Sequence, residues 1–230
     1  MKTIGLIGGM SWESSVEYYK IINEAALQKL GGVHSAKSVM VSVDFADIDS
    51  ILKEGRWEDG AKMMITAAKQ VEAAGADFVL ICTNTLHKVA DRVQQAISIP
   101  LLHIADAAGK AVVAQDIHTV ALLGTRFTMQ DTFIKGRLAE KFGLQVITPD
   151  EADQETIHRV IFEELVIGKI LPESKKAYLD IIKKMQDRNA EAVILGCTEL
   201  GLLVKQEDCS LPLFDTTVVH AQAAIELAFS

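Results

Sequence analysis

The chain has 230 residues, of which 49% are hydrophobic and 23% charged, with 15 Gly and only 4 Pro. This composition is typical of a folded protein with a hydrophobic core and excludes extended disorder. The formal net charge of −8 disfavours nonspecific binding to nucleic acid or to an anionic membrane, because both partners require a basic surface. We therefore expect neither partner, whereas an anionic small molecule needs only a local pocket of amides or cations.

The N-terminus and the cysteines indicate the compartment. Met1 and Lys2 run directly into an apolar strand pattern without a signal peptide, and no run of 18 apolar residues occurs. The three cysteines, Cys82, Cys197 and Cys209, are an odd number, which argues against a disulfide framework. We expect a cytoplasmic protein in which thiol chemistry deserves consideration.

Short runs rich in Val, Ile and Leu alternate with longer amphipathic stretches along the chain. This pattern predicts an α/β fold with buried parallel sheets. Helices are predicted at residues 13–30, ending at Gly31 and Gly32, and at residues 58–74, ending near Gly75. The predicted strands are residues 3–7, 38–43, 78–82, 101–104, 119–123, 145–147, 192–195 and 211–214.

An internal repeat divides the chain into two similar halves. Residues 3–9 match 119–125, residues 76–84 match 190–198, and residues 98–102 match 210–214, at the nearly constant offsets of 116, 114 and 112. Three collinear matches favour a tandem duplication of one α/β unit. We predict a first domain at residues 1–99 and a second at 100–215. The last helix, residues 216–229, could pack on either domain, the first included.

Polar residues follow the repeated strands, at the edge where parallel α/β sheets bind ligands. They include Met10 after the first strand, Thr83 after the third, Thr125 after the fifth and Cys197 after the seventh predicted strand. If a pseudo-two-fold relates the domains, Thr83 and Cys197 face each other across a shared cleft and can act on two sides of one carbon. A helix beginning at Thr198 would lower the pKa of the Cys197 thiol and make it a base near neutral pH.

Each of these residues also has an ordinary structural explanation. A free cysteine is more commonly a small buried hydrophobe, but the polar neighbours of Cys197 and the repeat favour function. Cys82 precedes Thr83 and must point to the opposite face of its strand, so we expect it to be buried, and Cys209 to be a bystander. Gly8 and Gly9 lack the spacing of a dinucleotide fingerprint, and no histidine or cysteine spacing indicates a metal site.

These motifs resemble those of the aspartate/glutamate racemase family, whose members carry Cys-Asn-Thr in the first half and Gly-Cys-Thr in the second. Here the motifs read Thr83-Asn84-Thr85 and Gly196-Cys197-Thr198, and the resemblance extends over essentially the whole chain. It implies two Rossmann-like domains, an active site in the interdomain cleft, frequent homodimers, and racemisation without pyridoxal phosphate or any other cofactor. Two residues on opposite faces of the substrate, here Thr83 and Cys197, would carry the α-proton chemistry.

The same resemblance implies the substrate contacts. Asn84, Thr85 and Thr198 would bind the α-carboxylate and amino group of an amino acid, with Met10, Thr125 and Thr128 lining the pocket. Aspartate and glutamate are the expected substrates.

Two departures from the family pattern bear on specificity. Thr83 stands where most members have a cysteine, and a hydroxyl is a far weaker acid than a thiol, so Thr83 cannot readily serve as the matching base. Because the second cysteine acts on the L-enantiomer in the family, we expect an enzyme that prefers L-substrates. The arginine that many members place after the second strand is also missing, and Lys53, Arg56 or Arg126 could replace it.

Two other functions fit a site with one cysteine. The first is another reaction of the same superfamily, such as decarboxylation of an arylmalonate or cis-trans isomerisation of maleate. The second is an amino-acid-binding module without enzymatic activity. Product assays and exchange of the α-proton distinguish these functions from racemisation.

Overall fold

Seven strands form two separate parallel sheets, and the computed structural model describes all 230 residues, Met1–Ser230. The chain divides into two compact units. Unit 1 comprises Met1–Ile104 and His220–Ser230, and unit 2 comprises Ala105–Val219. The elements in chain order are β1 (Ile4–Gly8), α1 (Trp12–Leu30), β2 (Ser38–Ser42), α2 (Phe45–Glu54), α3 (Trp57–Ala73), β3 (Phe78–Ile81), α4 (Ala90–Ala96), α5 (Ile104–Val113), β4 (Thr119–Gly124), α6 (Arg126–Gln130), α7 (Thr132–Phe142), β5 (Gln145–Ile147), α8 (Glu151–Glu163), α9 (Pro172–Asp187), β6 (Ala192–Gly196), α10 (Leu200–Leu203), β7 (Leu213–Asp215) and α11 (Thr216–Phe229), with short 3₁₀ turns at Thr85–Val89, Leu165–Ile167 and Gln206–Asp208.

Unit 1 contains a three-stranded sheet in the order β2-β1-β3. Both β1 and β3 are wholly buried, as their continuous apolar sequences require of strands covered on both faces. One core of this unit joins β1 and β3 to the buried face of α1 and to the last turns of α11, through Tyr18, Ile22, Ala224 and Ile225. The end of the chain therefore completes the core of the unit that contains its beginning.

Unit 2 contains a four-stranded sheet in the order β5-β4-β6-β7. Its central strands β4 and β6 are buried almost throughout, and β6 and the inward faces of α8 and α9 pack in one hydrophobic core. Tyr178 of α9 lies wholly inside this core, where its hydroxyl donates to the carbonyl of Ile157 at 2.9 Å. The second half of the chain thus forms a complete core of its own.

The pairing of the strands agrees with the internal repeat. Leu6 pairs with Leu80 in the first sheet. Leu122 and Ile194, which lie 116 and 114 residues further along, pair with each other in the second sheet. The two central pairs of strands therefore share one register, as expected if both units derive from the same ancestral α/β unit.

Seven of the eight predicted strands are present, with ends within two residues of those predicted. The strand predicted at residues 101–104 is wrong, because only Leu101 pairs there, in an isolated bridge to Val79. Helix α5 begins at Ile104 and leaves too few residues for a strand. The corresponding pair in unit 2, Val193 with Leu213, belongs to the regular pairing of β6 with β7. No helix has the combination of length and apolar character that crossing a membrane requires.

The boundary between the units follows from this short pairing. The compact units divide between Ile104 and Ala105, compared with the boundary expected after residue 99. Hydrogen bonds from the Val79 amide to the Pro100 carbonyl, and from the Leu102 amide to the Val79 carbonyl, hold the intervening segment beside β3. Backbone pairing with the first sheet thus keeps this segment in unit 1.

A buried histidine connects three segments of unit 1. Nε2 of His220 lies 2.8 Å from the Leu102 carbonyl, which can only accept, so this nitrogen carries the proton. Nδ1 then accepts from the hydroxyl of Tyr18 at 2.8 Å. The histidine joins α11 to α1 and to the segment after β3. Burial lowers its pKa from an ordinary 6.5 to about 4.

We expect acid to weaken the fold through His220. Because the imidazole takes up its proton more readily in the unfolded chain, stability is lost as the pH falls from about 6.5 towards 4. Between about pH 7 and about pH 5 this group should reduce the free energy of unfolding by about 2 kcal/mol. Denaturant unfolding of the protein and of His220→Gln at both pH values measures the difference. The exposed His118→Gln is the control and should retain the full pH dependence, whereas equal pH dependence in all three proteins would contradict this assignment.

Candidate functional site

The residues singled out by sequence fall at the carboxyl ends of the strands in both units. Unit 1 holds Met10, Thr83, Asn84 and Thr85, and unit 2 holds Thr125, Thr128, Cys197 and Thr198. All eight side chains are buried.

The loop after β1 depends on a glycine. Gly9 has a φ of +88°, and a Cβ at this position would collide with the carbonyl of Val43. Its amide donates to the hydroxyl of Ser15 at 2.8 Å. Because only glycine fits this backbone, the chain turns tightly past the end of β2 and brings Met10 to the edge of the sheet.

Thr83 follows β3 and is held by a histidine from the next turn. Nδ1 of His87 lies 2.7 Å from the Thr83 carbonyl and must donate to it. Nε2 of the same ring therefore accepts from the amide of Ile104 at 3.1 Å. This neutral imidazole links the strand end to the start of α5. Cys82 is in the core of unit 1, as expected, and burial raises the pKa of its thiol.

Two glycines shape the corresponding edge of unit 2. Gly124 and Gly196 are register partners at the ends of β4 and β6. A Cβ on Gly124 would lie 2.5 Å from the Gly196 carbonyl oxygen, and one on Gly196 would lie 2.9 Å from that of Leu123. The glycines therefore allow the two strands to reach this edge side by side. Thr125 and Cys197, which directly follow these glycines, therefore lie at the ends of two adjacent strands.

Thr125 and Thr128 form the first turn of α6. The hydroxyl of Thr125 accepts from the Thr128 amide at 3.3 Å and caps the helix. Thr128 is completely buried, and its side chain packs beside the glycine pair. In this structure Thr128 fills space behind the strand ends.

The Cys197 thiol is hydrogen-bonded to a buried carboxylate. The thiol donates to Oε2 of Glu199 at 2.9 Å, and the hydroxyl of Thr198 donates to the same oxygen at 3.0 Å. Burial raises the pKa of the Cys197 thiol well above its ordinary value, and the Glu199 carboxylate raises it further. The buried carboxylate thus makes a second negative charge on the sulfur unfavourable.

The expectation of a lowered thiol pKa is therefore wrong for this structure. The helix that was expected to begin at Thr198 begins at Leu200 and has only four residues. It offers little of the macrodipole that a longer helix provides, whereas the buried carboxylate lies in direct contact with the thiol. The contact with Glu199 therefore raises the pKa of the thiol by more than the short helix can lower it.

Glu199 and Asp215 are residues of this site that the sequence analysis did not identify. Asp215 ends β7, accepts from the Thr217 amide at 2.8 Å, and adds to the rise in the pKa of the Cys197 thiol. Burial raises the pKa of the Asp215 carboxyl as well. A Cβ on Gly201 would collide with this carboxyl, so the glycine leaves room for it. The position of Glu199 two residues after the cysteine was the available sequence signal.

The three cations considered for a distal carboxylate differ in their surroundings. Lys53 pairs with Asp49 at 2.6 Å, and Arg56 pairs with Glu54 and Asp59 at 2.7 and 2.9 Å. Arg126 directly follows Thr125 and lies 3.3 Å from the imidazole of His158, with no carboxylate partner. No group of three His, Cys, Asp or Glu side chains is arranged to hold a metal ion.

We expect Glu199→Gln to lower the pKa of the Cys197 thiol. The substitution removes the negative charge but retains the size of the side chain, so only the contribution from burial and Asp215 remains. The pH dependence of alkylation by iodoacetamide, followed by mass spectrometry of the Cys197 peptide, measures the change. The exposed Glu207→Gln is a matched control and should leave the profile unchanged. An unchanged or raised pKa in Glu199→Gln would contradict the proposed electrostatic control.

Comparison with known proteins places this geometry in a family. Residues 7–224 match the sequence profile of the Asp/Glu/Hydantoin racemase family. A crystal structure from Yersinia pestis, provisionally described as an Asp/Glu racemase, is 48% identical with a TM-score of 0.92 and full coverage of both chains. That of an aspartate racemase homologue from Pyrococcus horikoshii OT3 is 37% identical with a TM-score of 0.85, again over both full chains.

A more distant relative has a wider described range of substrates. The broad specificity amino-acid racemase RacX of Bacillus subtilis (strain 168) is 24% identical over 167 residues, which cover 71% of this chain and 70% of the relative. The profile match spans nearly all of the chain and includes the strand ends of both units. The protein therefore belongs to the Asp/Glu/Hydantoin racemase family, a family of isomerases.

Proposed function

We propose that this protein racemises acidic amino acids, aspartate or glutamate, without pyridoxal phosphate or another cofactor. The observation that carries the proposal is the Cys197 thiol at the end of β6, in contact with the buried Glu199 carboxylate. The carboxylate can accept the proton of the thiol, and the thiolate that remains is a strong base. The names of the relatives support the substrate class.

The first step removes the α-proton of the L-amino acid. Before this step, the Cys197 proton passes along its existing hydrogen bond to Oε2 of Glu199, which leaves a thiolate and a neutral carboxylic acid. The net charge of the pair does not change, so the transfer adds no charge to the buried site. The ammonium group of a bound substrate favours the thiolate by its positive charge. The thiolate then takes the α-proton and leaves a carbanion.

The second step delivers a proton to the opposite face of the carbanion. We assign this step to Thr83, whose hydroxyl donates a proton to the carbanion and regains one from water. A hydroxyl is a poor acid compared with a thiol, so this side is slow. The result is an enzyme that exchanges the α-proton of the L-enantiomer readily and that of the D-enantiomer slowly. The final ratio of enantiomers still approaches unity, because a catalyst does not change the equilibrium.

Polar groups around the two strand ends suit the common part of an amino acid. Asn84, Thr85 and Thr198 provide amide and hydroxyl groups for the α-carboxylate and the ammonium group. Met10, Thr125 and Thr128 complete the proposed lining. We assign these contacts by the resemblance of the motifs, and the burial of all six side chains is compatible with a site that excludes water.

Solvent deuterium incorporation tests the proposed reaction. In deuterated water, L-aspartate or L-glutamate should gain deuterium at the α-carbon faster than D-enantiomer accumulates, because the returning proton comes mostly from the Cys197 side. Cys197→Ala should reduce this exchange by about 10²- to 10⁴-fold, the usual contribution of a general base. Proton NMR and chiral chromatography follow the two processes in one sample.

The matched control for this experiment is Cys209→Ser. Cys209 is a partly buried thiol that has no part in the proposed site, and its replacement should leave the exchange unchanged. If no common L-amino acid exchanges its α-proton in a manner that depends on Cys197, the racemase proposal is wrong. Tight binding of aspartate without exchange would instead favour a binding module.

Thr83→Cys tests the assignment of the second face. A thiol at this position would supply the strong acid and base that the hydroxyl lacks, so deuterium incorporation into D-aspartate should rise at least about tenfold. Thr85→Cys introduces the same group two residues away and should not produce this gain. Equal D-side rates in the parent protein and Thr83→Cys would contradict the role of Thr83.

The assembly belongs to the same proposal. We propose that the protein acts as a homodimer on its small-molecule substrate and has no nucleic-acid partner. The acidic net charge supports the second statement.

A further inference from the structure

His87 of unit 1 uses both of its ring nitrogens for hydrogen bonds to the main chain. The side chain is only 3% exposed and lies in the 3₁₀ turn that follows Thr83. Nδ1 donates to the Thr83 carbonyl at 2.7 Å, and Nε2 accepts from the Ile104 amide at 3.1 Å. A carbonyl can only accept and an amide N–H can only donate, so a single neutral tautomer satisfies both bonds. The other tautomer, or a second proton on the ring, would break at least one of them.

The Thr83 carbonyl lies just beyond the sheet. The pairing of β1 with β3 ends at Ile7 and Ile81, and one further bond runs from the Cys82 amide to the Ile7 carbonyl. The next residue, Thr83, is held through its carbonyl by the imidazole instead. Because a planar peptide leaves only φ and ψ free, a fixed carbonyl restricts ψ of Thr83. The bond from His87 therefore restricts the direction in which the Thr83 side chain points.

The other end of this connection is a fixed point of unit 1. Ile104 is the first residue of α5, and its side chain is wholly buried. The first amides of a helix have no partner within the helix, so the imidazole supplies the acceptor. The rings of His103 and His220 lie beside the imidazole, with centroids at 4.5 and 5.9 Å and interplanar angles of 61° and 64°. Two hydrogen bonds and two neighbouring rings thus hold the imidazole in place.

The second half of the chain has no counterpart of this histidine. At the offset of 114 that relates the two strand ends, the position of His87 corresponds to Gly201. There the Cys197 carbonyl accepts from the Leu200 amide at 3.0 Å, and the Asp215 carboxyl occupies the space that a Cβ on Gly201 would need. A requirement of the α/β unit itself would be expected in both copies. The imidazole is therefore specific to the end of β3.

We infer that His87 is a positioning residue for the proton transfer on the Thr83 side. The inference rests on the proposed racemase function, in which the Thr83 hydroxyl donates to the carbanion. A proton donor must lie within hydrogen-bond reach of the accepting atom, and a displacement of about 1 Å can lower the rate about 10²-fold. His87 holds Thr83 through its carbonyl, so it acts on the direction of the hydroxyl and takes no part in the chemistry. The Cys197 thiol is held by other contacts, so this bond bears on one of the two proton transfers.

Two substitutions of His87 separate its two hydrogen bonds. His87→Asn retains an N–H near the position of Nδ1 and can still donate to the Thr83 carbonyl, but it is too short to accept from the Ile104 amide. His87→Gln places an amide near the position of Nε2 and can still accept from Ile104, but it loses the bond to Thr83. Both substitutions remove the ring, so the loss of packing is common to them and cancels in the comparison.

The ratio of deuterium incorporation into D-aspartate to that into L-aspartate measures the effect, both in the parent protein and in the faster Thr83→Cys background. His87→Gln should lower this ratio at least about tenfold in each background, whereas His87→Asn should keep it within about threefold. His34→Gln replaces an exposed histidine of unit 1 and should leave the ratio unchanged. Circular dichroism and thermal unfolding show whether each variant is folded. Equal ratios in His87→Gln and His87→Asn would overturn the inference.

Nuclear magnetic resonance tests the connection without any reaction. In the parent protein the nitrogen-15 resonances of His87 should show the proton on Nδ1. The carbonyl carbon-13 resonance of Thr83 should shift in His87→Gln and remain close to its parent position in His87→Asn. A proton on Nε2, or an unchanged Thr83 resonance in His87→Gln, would overturn the inference. The absence of α-proton exchange that depends on Cys197 would instead refute the racemase proposal, and these resonances would still show whether His87 holds Thr83.

Discussion

The close approach of β4 and β6 at Gly124 and Gly196 is the constraint on which the surroundings of Cys197 depend. Neither position has room for a Cβ, since each would meet a backbone carbonyl of the neighbouring strand. The two strands therefore end together, and the residues that follow them are Thr125 and Cys197. A larger residue at either position would separate the strand ends and displace the cysteine from its surroundings. The position of the thiol is thus determined by backbone packing before any charge is considered.

Electrostatics then determine the state of that thiol. Cys197, Glu199 and Asp215 all lie in unit 2, and burial raises the pKa of both Cys197 and Asp215. Buried groups of like charge cannot all ionise at moderate cost. The hydrogen bond between thiol and Glu199 carboxylate keeps a single negative charge on the pair. This arrangement favours the protonated thiol, and in the mechanism that we propose the positive charge of a bound substrate shifts the balance towards the thiolate.

Most of the fold could be predicted from the sequence, because two periodic signals agreed. Apolar runs indicated the strands, and the repeat indicated that the pairing of Leu6 with Leu80 would recur as that of Leu122 with Ile194. The prediction was wrong at residues 101–104, where a helix starting at Ile104 replaces the end of a strand. Apolar composition alone cannot distinguish these two outcomes over four residues.

The site was less predictable than the fold. Motifs in the sequence located Thr83 and Cys197, but the pKa of the thiol was predicted in the wrong direction. That prediction relied on a helix dipole, and the helix has four residues and begins two positions later than expected. The contact of Cys197 with Glu199 depends on side-chain rotamers, and the effect of the Asp215 charge on the thiol depends on the pairing of β7 with β6. Neither can be inferred from residue spacing.

The discontinuity of unit 1 has a consequence for synthesis on the ribosome. Ala221, Ala224, Ile225 and Ala228 belong to the core that also contains β1 and β3. The amide of Lys2 even donates to the carbonyl of Ala228, so the first and last segments meet directly. Domains usually fold from the N-terminus as the chain emerges. The core of unit 1 cannot be completed until the final helix has been synthesised. Unit 2 is contiguous and can complete its core first.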